Sequence, residues 1–262
     1  MIKYININNL NKSLSSFNSK KPFPYAIVDN FFKKNIALKL SREFPKYNDK
    51  NLHEYNNYCE VKKSSNNWNL FPSLTYRIFS LLNSNIITKV LSKKLKINKI
   101  FSDYGLNGGG WHLMNTRGRL NPHLDYSLHP KILGQRKFNL IIFLSPDWKR
   151  SWGGETCFYE KNLRNKNIPG NLITKIYPKF NRAIIFDTSK NSWHAVSSIK
   201  TYKIRKSIAV YYLVNPKKKV NKRKKALYAP ERNQISNKKV IKFIKMRADQ
   251  NSFSNVYKTK KK

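Results

Sequence analysis

The chain is short of cysteine, of acidic residues and of long apolar runs, and each shortage excludes a class of protein. Two cysteines in 262 residues, Cys59 and Cys157, cannot build a disulfide framework or a cysteine zinc module and read as reduced thiols. No apolar run approaches the roughly 20 residues that span a bilayer. The opening "MIKYININNLNKS" lacks the apolar stretch of a secretory signal. These absences lead us to expect a soluble, cytoplasmic protein. Only 13 acidic residues stand against 53 Lys and Arg, a formal charge of +40.

Such an excess ordinarily marks a nucleic-acid partner. Here most of the basic residues are Lys, which meets phosphate as a point charge without the planar fork of Arg. They accompany abundant Asn, Ile and Tyr, the composition of an AT-biased coding sequence. Nonspecific, salt-sensitive contact with polyanions is therefore expected rather than a dedicated nucleic-acid function. The charge concentrates in residues 215–262, where 17 Lys or Arg face Glu231 and Asp249, with "PKKKVNKRKK" at the head. That run reads as a solvated, self-repelling segment or a polyanion contact. Beyond it, "NKKVIKFIKMRA" spaces Val240, Ile241, Ile244 and Met246 as in a short amphipathic helix.

What is present is enough apolar residue, 40%, for a real core. We divide the chain into an N-terminal helical or mixed flank packed on the core (1–104), a β-rich core (105–215) and a basic C-terminal extension with a short helix (216–262). In the flank, "PFPYAIVDNFF" enters a strand over 25–28, and the spacing of Ile36, Leu38, Leu40 and Phe44 predicts a helix over 33–44. The polar stretch 49–68 reads as loop, and 74–82 and 86–95 as two further helices. From "GLNGGGWH" onward, β-rich runs alternate with turns: "WHLMN", "NPHLDY", "FNLIIFLS", "NLITKIY", "RAIIFD" and "RKSIAVYYLV". Many short strands without helical periods between them predict a β-sandwich or barrel.

Within "NPHLDYSLHP", His123 and Asp125 are two apart, so on a strand they share a face and can hold one ion. His129, just before Pro130, is released from that strand and reads as an exposed loop residue. An isolated H-x-D is weak evidence. It gains weight from "FNRAIIFDTSKNSWHAV", a β-run, a turn over 187–191 and then His194, where another strand would begin. Two imidazoles and one carboxylate with open positions make the facial triad that holds Fe(II) for oxygen chemistry. Two of those positions suit the keto-carboxylate end of a 2-oxo acid and one suits dioxygen. The distal carboxylate of a 2-oxo diacid needs a planar cation. Arg205 opens the strand "RKSIAVYYLV", with Ser207 on the same face and Lys206 turned away.

These motifs resemble the prolyl 4-hydroxylase-like branch of the Fe(II)- and 2-oxoglutarate-dependent oxygenases, from about Gly108 to Leu213. "NPHLDYS", "NLIIFLSPDWKRSWGGETCFY", "PKFNRAIIFD" and "SWHAV" with "RKSIAVYY" follow the family's order. "PFPYAIVDNFF" is similar to its N-terminal flank. The resemblance implies a mainly β fold with a helical flank, its core a double-stranded β-helix, a distorted cupin-like jelly roll. It implies His123, Asp125 and His194 as metal ligands and catalytic residues, and Arg205 as the 2-oxoglutarate residue, with Ser207 beside it. Fe(II), 2-oxoglutarate, dioxygen and ascorbate as reductant are the implied cofactors. The implied reaction hydroxylates an unactivated C–H of a peptidyl proline, an amino acid or a sugar- or lipid-linked metabolite, releasing succinate and carbon dioxide. Phe143 stands where several relatives place a Tyr that helps to hold 2-oxoglutarate. Asp125 favours hydroxylation, since halogenating relatives carry a small residue there.

Three rival readings have their own tests. Nucleic-acid demethylases of the superfamily carry a second Arg six residues after the first, and position 211 is Tyr. A noncatalytic β-sandwich that binds polyanions or nucleic acid through its basic surface is the second, and a cupin-like enzyme that uses no 2-oxoglutarate the third. His112 reads as a hydrogen-bonded sheet residue on a strand that could line the cavity. The glycines at 108–110 read as a bulge or turn, and Gly153 and Gly154 as a hairpin end. Trp193 either packs under the site or faces the substrate.

Overall fold

A computed structural model describes residues 2–188, 191–216, 223 and 225–248. Thirteen strands among them form one antiparallel ladder. Their bounds are β1 Tyr25–Val28, β2 His53–Asn56, β3 Glu60–Ser65, β4 Phe101–Ser102, β5 Gly110–Met114, β6 Arg119–Leu124 and β7 Gln135–Phe143. They continue with β8 Thr156–Lys161, β9 Pro169–Ile176, β10 Ala183–Asp187, β11 His194–Val196, β12 Arg205–Val214 and β13 Leu227–Tyr228. The spatial order is β1-β10-β7-β12-β5-β3-β6-β11-β8-β9, with β4 on β12, β2 on β3 and β13 on β6. The halves β1-β10-β7-β12-β5 and β6-β11-β8-β9 line one cavity between them. This is the double-stranded β-helix. Strand β3 joins the halves, pairing Lys63–Ser65 with β5 and Glu60–Val61 with β6.

Alternation along the strands decides which residues face the cavity. On β7, Phe138, Leu140 and Ile142 point to the outer face and join one large apolar cluster. That cluster is completed by helices α1 Ile7–Leu14, α2 Lys34–Arg42, α3 Ser73–Leu82 and α4 Asn85–Leu95. Each fully buried Leu, Ile or Phe contributes about 1.5–3 kcal/mol, so this face anchors the sheet. Asn139 and Ile141 point inward and line the cavity, while Phe143 packs with Phe158, Ile184 and Phe186 in a second cluster. Helix α2 ends at Glu43, whose carboxylate accepts from the Thr75 N–H (2.7 Å) and Thr75 Oγ1 (2.7 Å) at the start of α3. A negative group is favoured at that helix end.

The strand at 25–28 and the helices over 34–42, 73–82 and 85–95 match the sequence reading within two residues. The stretch 49–68 does not, because it holds the β2–β3 hairpin. Its strands are polar because β2 is largely exposed and β3 lends Glu60 and Lys62 to the cavity wall, so no apolar alternation marks them. The turn is set by Asn57, whose Oδ1 accepts from the N–H groups of Cys59 (2.9 Å) and Glu60 (3.1 Å). Helix α5, Lys238–Ala248, realises the amphipathic pattern near the C-terminus. Most of "PKKKVNKRKK" lies outside the described residues, as do positions 189 and 190 of the turn before His194. No helix among the described residues is long and apolar enough to cross a membrane.

Candidate metal centre

His123 near the end of β6 and His194 at the start of β11 are direct partners in the ladder, and their ring centroids are 4.1 Å apart. Asp125 follows one residue after β6. Its Oδ1 lies 3.8 Å from His123 Nε2 and its Oδ2 3.9 Å from His194 Nε2. One ligand atom from each of the three residues lies within 4.8 Å of the others, and all three residues are buried. The 3.8 Å and 3.9 Å gaps exceed a hydrogen bond yet fall short of two metal–ligand bonds of about 2.1 Å laid end to end. Asp125 Oδ2 has no hydrogen-bond partner despite its burial. A buried orphan carboxylate oxygen calls for a cation, so this donor set fits a divalent ion.

Both rings are oriented by the same local device. His123 Nδ1 lies 2.9 Å from the carbonyl oxygen of Asn121, and His194 Nδ1 lies 2.9 Å from that of Ser192. Each carbonyl accepts from Nδ1–H, which leaves the Nε2 lone pair aimed at Asp125. Burial, and then neighbouring His194, hold His123 down to about 3, so its imidazole is neutral and free to donate to a metal. Burial works to raise Asp125, but His194, Arg136 and His123 outweigh it and keep the carboxyl ionised below its ordinary range.

Arg205, the first residue of β12, is fully buried and lines the same cavity of about 500 Å³. Its Nε donates to the Gly154 carbonyl (2.9 Å), and its Nη1 lies 3.4 Å from Ser207 Oγ. The guanidinium sits over the Phe143 ring, 4.8 Å from the centroid. Burial lowers it to about 10, so it remains charged at neutral pH, and among the described residues it forms no ion pair. Gly154 has φ +79°, and a Cβ there would meet Arg205 Cδ at 2.9 Å. This glycine is therefore more than hairpin chemistry, because it makes room for the arginine stem. Lys206 turns to the other face and donates to the Ser41 carbonyl.

The other histidines and Trp193 fall into place. His129 is buried, not exposed. Its Nδ1 accepts from the N–H groups of Lys131 and Ile132 (3.2 Å each), and Nε2 lies 3.4 Å from Asp103, so the residue pins its own turn away from the metal cluster. His112 on β5 lines the cavity and is driven down to about 3, first by burial and then by Lys62 and Arg205. Trp193 packs with Leu124 and Ala229 beneath the site and does not line the cavity.

Several cavity residues escaped the sequence reading. Arg136 on β7 is clasped between the rings of Tyr126 and Tyr211, 3.4 Å and 3.5 Å from their centroids. Its Nη1 lies 3.9 Å from Asp125 Oδ1, to which the Tyr211 hydroxyl also donates (3.4 Å). Plain alternation would turn Arg136 to the outer face with Phe138. Between Phe138 and Arg136 the pairing with β12 shifts by one residue at Lys137, and this bulge brings Arg136 into phase with Asn139 and Ile141. On the other side of His123 lie Tyr228 of β13, its ring stacked at 5.2 Å, and Arg247 of α5, 4.4 Å above Tyr228. Arg247 Nη1 pairs with buried Glu60 (2.5 Å), which also meets Lys62 (3.3 Å).

Comparison with known proteins gives a consistent picture. Residues 109–213 match the 2OG-Fe(II) oxygenase superfamily. The chain is 24% identical over 187 residues to "Prolyl 3-hydroxylase OGFOD1" of Xenopus laevis, covering 68% of this chain and 32% of that protein. It thus spans about a third of that relative's length. Among solved structures, a Pseudomonas putida prolyl-4-hydroxylase superposes with a TM-score of 0.57 at 10% identity, over 79% of this chain and all of the other. HygX of Streptomyces hygroscopicus, solved with nickel, 2-oxoglutarate and hygromycin B, gives 0.52 at 11% identity over 77% and 86%. A Trichoplax adhaerens prolyl hydroxylase, solved with a peptide fragment, gives 0.51 at 14% identity over 78% and 89%. At these identities the structures speak for the fold.

Proposed function

We propose, from the match of residues 109–213 to the 2OG-Fe(II) oxygenase superfamily, that the chain is an Fe(II)- and 2-oxoglutarate-dependent dioxygenase that hydroxylates an unactivated C–H. In this reading His123, Asp125 and His194 hold the iron, and Arg205 with Ser207 holds the distal carboxylate of 2-oxoglutarate. The observation that carries it is the convergence of two imidazoles and a carboxylate within 4.8 Å, in a cavity that also holds a buried guanidinium. Bound iron(II), with 2-oxoglutarate and dioxygen, supplies the oxidation, in which the cosubstrate becomes succinate and carbon dioxide as one oxygen atom enters the substrate.

The protein's own contributions are positional. The Asn121 and Ser192 carbonyls fix both imidazoles with Nε2 inward, and Arg136 and Tyr211 hold Asp125 at its Oδ1, leaving Oδ2 for the ion. Arg205 offers a fixed charge on a rigid strand, and Met114, Leu120, Ile141 and Val196 form an apolar wall that limits water around it. Phe143 takes the place of a phenol in this arrangement, so cosubstrate binding relies on Arg205 and Ser207. Two buried free thiols suit a reducing compartment such as the cytoplasm. Nonspecific contact with polyanions through the basic surface belongs to the same proposal. The neighbours were solved with ligands as different as a peptide and hygromycin B, so the fold by itself does not choose the substrate.

Metal content and succinate release test the reading. The wild-type chain should bind one Fe(II) and turn over 2-oxoglutarate. Asp125→Ala and His194→Ala should each weaken metal binding by more than about 100-fold, since even outer partners of metal ligands cost about 10–100-fold. Near-normal 2-oxoglutarate turnover by either variant would remove the assignment.

A further inference from the structure

We propose that the C-terminal segment is a working part of the metal centre, in which Arg223 and Gln234, the latter acting through Asn121 on β6, are positioning residues for His123 and Asp125. This rests on the metal assignment of the oxygenase reading above. It adds residues that lie outside the matched span 109–213.

The first support is where the contacts of this segment fall. Strand β13 pairs with β6 in a register that sets Leu227 against Leu124 and Tyr228 against His123. The Ala229 N–H donates to the Pro122 carbonyl (2.8 Å). Asn121 Nδ2 donates to the Ala229 carbonyl (3.3 Å) and to Gln234 Oε1 (2.6 Å). Arg223 donates to the Asp125 carbonyl through both Nε (2.9 Å) and Nη2 (2.8 Å). Every residue of the run 121–125 is thus met from the C-terminal side, and that run carries two of the three metal ligands. The ties run through the segment's backbone and through Arg223 and Gln234, not through the side chains of Tyr228 and Arg247 at the outer end. Hydrogen bonds are directional, so they fix the angle of the run as well as its depth.

The second support is that two of these ties lead straight to ligand geometry. Asn121 is fully buried and acts as a junction. Its N–H donates to the Cys59 carbonyl (2.8 Å), its side chain reaches Ala229 and Gln234, and its own carbonyl accepts from His123 Nδ1 (2.9 Å). Gln234 is fixed in turn, since its Oε1 accepts from the Glu231 N–H (3.0 Å) and its Nε2 donates to the Tyr58 carbonyl (3.2 Å). Turning Asn121 would turn the carbonyl that aims His123 Nε2. Asp125 stands one residue beyond β6, where the strand no longer sets the backbone. There the Arg223 guanidinium holds the Asp125 carbonyl, and the Arg223 carbonyl accepts from the Ser127 N–H (2.8 Å), so one residue grips the turn on both sides of Tyr126. Functional groups of this kind must be held within about 0.5 Å of their working positions. Linkage makes the effect mutual: a metal that binds better when the segment is docked must also hold the segment docked.

The test uses the full chain with Co(II), whose visible d–d bands report its ligand field, and follows hydrogen exchange in residues 225–247 with and without the metal. Wild type should bind one Co(II) per chain, and the metal should slow exchange across that segment. Arg223→Met and Gln234→Leu should each weaken Co(II) by about tenfold or more, shift the d–d bands and lose most of the metal-induced protection. Gln234→Glu keeps an acceptor for Asn121 Nδ2 and should retain near-wild-type affinity and bands. Lower thermal stability in Arg223→Met and Gln234→Leu, with affinity and bands unmoved, would mean a purely structural role and overturn the proposal. Metal binding that leaves exchange in 225–247 unchanged would overturn it too, and that wild-type comparison stands even if a variant fails to fold. A wild-type chain that bound neither Co(II) nor Fe(II) would bring down the metal assignment and the proposal with it. Metal binding without 2-oxoglutarate binding would bring down the oxygenase reading alone.

Discussion

At its inner end the cavity takes His123, Asp125 and Arg205 from strands β6 and β12 and the residue that follows β6, with His194 supplied by the ladder partner of His123. At its outer end it takes Glu60 and Lys62 from the polar hairpin, Tyr228 from a two-residue strand and Arg247 from the last turns of α5. The two inner imidazoles are held by carbonyls two residues away and by sheet register, and Arg205 by the Gly154 carbonyl, so this end rests largely on backbone, with Asp125 steadied by Arg136 and Tyr211. The outer groups are held by one another: Arg247 and Glu60 are 187 positions apart, and their ion pair is what binds α5 to β3. An inner end fixed largely by the backbone suits the proposed role of holding a metal and one constant cosubstrate. An outer end held by side chains from separate segments can vary without disturbing the metal centre.

The sharpest way to break this contrast is at Arg205. Arg205→Leu removes the buried charge proposed for the 2-oxoglutarate carboxylate and leaves the Gly154 carbonyl without its donor. Truncating one partner of a buried charge pair costs about 2–5 kcal/mol. The KM for 2-oxoglutarate, followed by succinate release, should therefore rise by about 1000-fold, while iron stoichiometry stays at one per chain. A rise of less than about tenfold would place the cosubstrate elsewhere in the cavity.

Glu60→Gln probes the outer end and should act on stability. Burial alone would raise the Glu60 carboxyl, yet Lys62 and Arg247 outweigh it and bring it down to about 2 from an ordinary 4.5. A depressed carboxyl stabilises the fold above its unfolded value, so this contribution is complete above pH 4.5 and fades as pH falls toward about 2. A carboxyl held that far below its ordinary range stabilises the folded chain by about 3 kcal/mol at neutral pH. Glu60→Gln should lower stability at pH 7 by about that amount and flatten the acid limb of the denaturation profile between pH 4.5 and 2. A profile unchanged from wild type would show that α5 is held to β3 by something other than this pair.

The same contrast explains what is legible in the sequence. H-x-D, the β-run before His194 and the Arg at the head of the last long strand are local patterns on elements of period two, and the cavity gathers all of them. Arg136 is not legible, because alternation turns it outward and only the register shift at Lys137 brings it back. The hairpin of β2 and β3 is hidden because its inward face carries Glu60 and Lys62 in place of apolar residues. His129 reads as exposed from sequence because its partners, two N–H groups of its own turn and Asp103, are features of tertiary packing. The helix over Lys238–Ala248 is visible as periodicity, yet nothing in that periodicity says that Arg247 reaches a carboxylate 187 residues away.

The smallest expected effect lies at Phe143, beside the Arg205 guanidinium. Its ring cannot donate a hydrogen bond, but its face lies 4.8 Å from the Arg205 guanidinium. A desolvated cation over an aromatic face gains about 1–2 kcal/mol. The ring therefore helps to hold the arginine in place. Phe143→Leu keeps the apolar volume and removes the aromatic face, so the KM for 2-oxoglutarate should rise by about five- to tenfold through a less well-fixed Arg205. Because Phe143 also packs against Phe158 and Phe186, a purely structural loss would lower thermal stability and leave the KM unmoved. A shift in KM measured well below the melting transition separates the two, and it would show that the inner end, too, depends on one side chain holding another.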